Sequence, residues 1–125
     1  MGNKAIELPD ELRAALVEIE IGFEALEAPT VELSAKLGQL HTEAAAGADP
    51  LSSETQRLQA EQARLDERRQ DLREDRRSLC LDLVEWLRGE GVPRSEMVSI
   101  TEAALKRARF GEGFAAEIAR RVSEA

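Results

Sequence analysis

From Leu51 to Trp86 every seventh residue is large and apolar: Leu51, Leu58, Leu65, Leu72, Leu79 and Trp86. Seven residues fall just short of two helical turns, so these six side chains return to one narrow seam. Such a seam is stable only when another helix covers it. Neither Pro nor Gly occurs between Leu51 and Leu87, which predicts a continuous helix ending near Arg88 and reaching about 55–60 Å.

The partner is legible upstream. Leu8-Pro9-Asp10-Glu11 suits a helix entry, with Pro tolerated in the first turn and acids at the positive end of the dipole. Apolar residues then run Leu12, Leu16, Ile19, Phe23, Leu26 and, after Pro29, Leu33, Leu37, Leu40, Ala44. Counting through Thr30 carries the alternation of four and three across the proline. Pro29 is therefore expected to kink one helix; a true break with Thr30 as the new cap is the alternative. Gly47-Ala48-Asp49-Pro50 combines a glycine stop with an Asp-Pro start, and Ser53 with Gln56 offers a second cap.

A chain doubled back at residues 47–50 pairs its two rows at constant offset, as antiparallel helices require. Leu65 then faces Leu33, Leu72 faces Leu26, Leu79 faces Ile19 and Trp86 faces Leu12. The intervening layers set Arg69 opposite Thr30, Arg76 opposite Phe23 and Leu83 opposite Leu16. Gln62, Arg69 and Arg76 are polar intruders in this seam. Their stems are expected to cover it while their ends reach water, Arg76 over the Phe23 ring and Arg69 toward carbonyls freed at Pro29. The sharper alternative is a seam weak enough to open or exchange partners.

Composition narrows the class. Among 125 residues aromatics are 3% and Tyr is absent, which favours helices over sheet. The net charge of −8 arises entirely in residues 1–56, with 11 acids against 3 bases. That asymmetry disfavours general nucleic-acid binding. The single Cys80 excludes an internal disulfide and fits a reducing compartment. With no apolar run of spanning length and no signal-like start, the expectation is a cytoplasmic protein without membrane association. Residues 1–7 read as a flexible tail.

A second apolar stripe follows the first helix: Ala14, Val17, Ile21, Ala25, Ala28, Val31 and Ala35. A two-helix hairpin leaves it bare, so something should cover it. Residues 92–125 are one candidate. After Gly89-Glu90-Gly91, a helix from Arg94 or Ser95 to Arg109 carries Met97, Ile100, Ala104, Leu105 and Ala108, with Ser99 and Glu102 as a possible later capping box. Beyond Gly111-Glu112-Gly113, a last helix carries Phe114, Ile118 and Val122. These helices can pack on the open end of the hairpin near Trp86 and Leu12, or a symmetry mate can cover the stripe as a homodimer.

Little here carries chemistry. His41 reads as a surface residue and Cys80 as a structural thiol at the seam's edge, with an interchain disulfide or redox role behind it. No His, Cys and carboxylate grouping has ligand spacing, so no metal or cofactor is expected. Gly111-x-Gly113-x-x-Ala116 matches a loose dinucleotide fingerprint, but a helix precedes it where a strand is needed. The last two helices could mimic a helix-turn-helix with Lys106, Arg107, Arg109, Arg120 and Arg121, although Glu117 and Glu124 offset the final pair. Glu43, Asp49 and Glu54 place carboxylates around the hairpin tip. In that outline the chain resembles the transcription factors that enter the secondary channel of RNA polymerase. Their Asp-x-x-Asp-x-Ala tip is not matched, since Pro50, Leu51 and Ser52 follow Asp49, and their β or zinc-binding end has no counterpart.

The expectation is an all-α, coiled-coil-like antiparallel hairpin over residues 8–91 with two short helices in residues 92–125. Leu33, Leu65, Leu72, Leu79 and Trp86 form its seam. Val17, Ile21, Ala28 and Val31 form a face for a protein partner of unknown identity or for a homodimer. The expected function is non-enzymatic: an adaptor, chaperone-like or assembly protein. A transcription regulator of the polymerase-channel or helix-turn-helix kind is the alternative.

Overall fold

The computed structural model describes residues 6–45, 47 and 53–125. Residues 1–5 of the expected tail lie outside this range, as do Ala48, Asp49 and Pro50 of the turn and Leu51 of the leucine row. Two long helices, α1 (Asp10–Ala45) and α2 (Ser53–Gly89), pack against each other as a hairpin. A single 3-10 turn at Arg94–Glu96 leads into α3 (Met97–Arg107), and α4 (Glu112–Glu124) ends the chain. The chain forms two compact units, one of Met1–Glu20 with Glu74–Ala125 and one of Ile21–Arg73.

In the Ile21–Arg73 unit α1 runs through Pro29 without interruption. Proline removes one interior hydrogen bond and costs about 3 kcal/mol. Leu26 and Leu33, on either side of it, are 8% and 5% exposed, and burying two leucines recovers a comparable amount. Register, not propensity, carries the helix across. The pairing is concrete: Leu33 and Leu65 line one groove, and Arg69 Nη2 donates to Thr30 Oγ1 at 2.9 Å. Among the contacts of the described residues, Arg69 meets the Thr30 hydroxyl rather than a carbonyl at the proline. Its other terminal nitrogen binds Asp66 at 3.0 Å. Gly22 lets Leu72 sit close: a Cβ there would fall 2.6 Å from Leu72 Cδ2. Gln62 is exposed, and Leu65 is half-buried rather than fully enclosed.

In the other unit α2 becomes apolar on two sides. Leu79 and Leu83 continue the seam, with Leu16 and Ile19 of α1 likewise buried. Cys80, Val84 and Leu87, spaced four and three apart, form a second buried line. α3 and α4 pack on one another; Met97, Thr101, Ala104 and Leu105 are buried on one helix and Ala115, Ile118, Ala119 and Val122 on the other. The buried alanines remove bulk where the two helices meet. Phe110 and Phe114 close this core with ring centroids 5.5 Å apart.

The carboxy ends of α2 and α3 are built alike. Val92 N donates to Leu87 O, and Gly91, at φ 80°, donates to Arg88 O. Phe110 N donates to Leu105 O, and Arg109, at φ 70°, donates to Lys106 O. Each is a left-handed Schellman stop sealed by a buried apolar pair, Val92 with Leu87 and Phe110 with Leu105. The second stop ends α3 two residues before the expected Arg109. α3 also starts later than the first of its expected positions, after the 3-10 turn, and Ser99 does not cap it. The Ser99 hydroxyl donates to Glu96 O at 3.3 Å instead.

Candidate functional site

The candidate face is the outer side of α1. Ile21 and Val31 are ten residues apart, which places them roughly 80° apart around the axis, and Ala25, Ala28 and Ala35 fall on the same side. All five are exposed, with Ile21 at 58% and Val31 at 68%. Val17, in the first unit, is half-buried.

Two grooves flank the seam within the second unit. One, of about 420 Å³, is lined by Phe23, Leu26, Glu27, Thr30, Val31 and Arg69. The other, of about 320 Å³, is lined by Pro29, Leu33 and Leu65 and by both signs of charge, with Glu32, Lys36, Glu61 and Arg64. The first adjoins Val31 and so continues the exposed face inward. Its cation, Arg69, is engaged by Thr30 and Asp66.

The remaining named residues are placed as follows. Leu33, Leu72 and Leu79 are buried, and Leu65 and Trp86 are half-buried. Arg76, whose side chain is only 11% exposed, binds Glu117 Oε1 at 3.3 Å. The same oxygen accepts from Arg121 at 3.0 Å. This arginine pair around one carboxylate ties α4 to α2, a contact the heptad pattern does not announce. Cys80 lies buried within the same electrostatic neighbourhood. Burial pushes its thiol above the ordinary value; Arg76 and then Arg121 pull it back, and Glu117 adds to the rise. A thiol so held stays protonated and poorly nucleophilic near neutral pH.

Of the basic residues considered for a helix-turn-helix, Lys106 pairs with Glu102 at 3.1 Å. Arg107 donates to Ile6 O at 2.8 Å, and Arg121 belongs to the Glu117 network. Glu20 of α1 accepts from Gly111 N at 3.2 Å, placing a carboxylate at the positive end of α4. At the tip, Glu43 and Glu54 are exposed, and Asp49 lies outside the described residues. His41 is exposed. Among the described residues no three His, Cys, Asp or Glu side chains are grouped to hold a metal ion, and no helix is long and apolar enough to cross a membrane.

The molecule is thus an all-α helical hairpin with a carboxy-terminal helical pair. No protein-family model, curated protein or solved structure matches the chain.

Proposed function

We propose that the chain is a non-enzymatic protein–protein interaction module, an adaptor, chaperone-like or assembly protein that offers a helix face to a protein partner. One observation carries this reading. The chain encloses Leu16, Leu58, Leu83, Leu87 and Ile118 almost completely, yet leaves Ile21 and Val31 largely in water. Scattered surface apolar groups are ordinary, but these two share one side of α1 with three exposed alanines, and Val31 lines an apolar groove.

The test is purification of the full-length protein with whatever travels with it, followed by mass spectrometry, beside the double variant Ile21→Glu/Val31→Glu. Both positions are solvent-facing, so circular dichroism should show unchanged helicity. A stoichiometric protein partner present with the native chain and absent from the variant is expected. Recovery of the same proteins with both chains overturns the reading.

A further inference from the structure

Resting on that docking role, we propose that the occupant of this face is a basic amphipathic helix from another protein. It would present a row of medium-sized apolar side chains flanked by lysine or arginine. Geometry supplies the first argument. The groove of Phe23, Leu26, Thr30 and Val31, with Arg69 across from them, is a valley between two neighbouring helices. A third helix fills such a valley when a bundle is completed.

Charge supplies the second argument. On this side α1 carries Glu24 and Glu27, whereas Glu32 lines the other groove with Lys36 and Arg64. Glu27 lines the groove itself. Glu24 stands one turn before Ala28 on the exposed side. The cation of the groove is already held by Asp66, so Glu24 and Glu27 leave this side of α1 with an excess of negative charge that attracts a cationic partner. A second copy is a poor occupant for the same reason. Two α1 faces brought together would set carboxylates against carboxylates.

The experiment titrates the full chain with two synthetic helical peptides that share one leucine-alanine stripe, flanked by lysine in one and by glutamate in the other. Fluorescence anisotropy should show the lysine peptide binding about tenfold more tightly or better, with the advantage shrinking at high salt. Glu24→Lys/Glu27→Lys should reverse the preference, and Val31→Glu should abolish binding of both peptides. Equal binding of the two peptides, no binding of the lysine peptide, or an unchanged preference in the charge-reversed chain overturns the proposal. So does a free chain of twice the monomer mass that Val31→Glu returns to a monomer, because the face then belongs to a second copy. The two readings also fail separately. A native partner lost from Ile21→Glu/Val31→Glu but kept by Glu24→Lys/Glu27→Lys retains the docking role and rejects the basic helix. Partner recovery identical in all these chains rejects docking itself.

Discussion

Gly22 and Gly38 both lie inside α1, and replacing either with Ala brings the same gain in helix propensity, about 1 kcal/mol. Their surroundings set opposite outcomes. A Cβ on Gly38 meets nothing within 4 Å, so Gly38→Ala should stabilise by about 0.5–1 kcal/mol. For a chain of this size that raises Tm by about 2–4 °C. A Cβ on Gly22 would lie 2.6 Å from Leu72 Cδ2 and 3.2 Å from Cδ1. Leu72 is 2% exposed, so its methyl groups have nowhere open to turn. Overpacking of this kind costs about 1–3 kcal/mol, which outweighs the propensity gain and leaves Gly22→Ala destabilised by about 1 kcal/mol. Urea unfolding followed by far-UV circular dichroism measures both variants. Leu72→Ala removes the clash, so Gly22→Ala introduced beside it should recover the stabilisation seen at Gly38. A Gly22→Ala chain as stable as Gly38→Ala would show that Leu72 does not rest on this glycine, and the register of the Ile21–Arg73 unit would be wrong.

Leu58, 1% exposed, should lose about 2–5 kcal/mol on substitution by Ala. Leu65, half-buried in an open groove, should lose about 1–2 kcal/mol; denaturant midpoints in the reverse order would contradict these placements. Arg109→Gly should raise stability by about 1 kcal/mol, because Arg109 holds a left-handed φ of 70° that glycine adopts without steric cost. A lower Tm in that variant would refute the Schellman stop. Burial keeps the Cys80 thiol above its ordinary 9.0, so the unfolded chain releases this proton first as pH rises. The stabilisation from the neutral thiol is intact below about pH 9 and declines above it as the unfolded thiol ionises. Wild-type stability should therefore fall more steeply above that pH than that of Cys80→Ala, and parallel curves would rule the effect out.

Periodicity alone specified the hairpin seam, because which residues share a helix face depends only on residues three, four and seven positions away. Leu33 beside Leu65, Arg69 on Thr30 and the passage through Pro29 all follow from counting. The second face of α2 is different. Cys80, Val84 and Leu87 show the same local spacing whether buried or bare, and tertiary packing decides between the two; α4, tied to α2 through Arg76 and Glu117, brings charges within reach of Cys80. Ala115 and Ala119 are equally silent: alanine suits an exposed helix surface as well as a tight contact, and the partner helix decides between them. The outer stripe of α1 shows the limit most clearly. Its pattern asks for a cover, but which apolar surfaces meet depends on complementary shape between elements that a single-helix repeat does not describe. Ile21 and Val31 are exposed. Burial is a property of pairs of surfaces, and a repeat within one helix describes just one member of the pair.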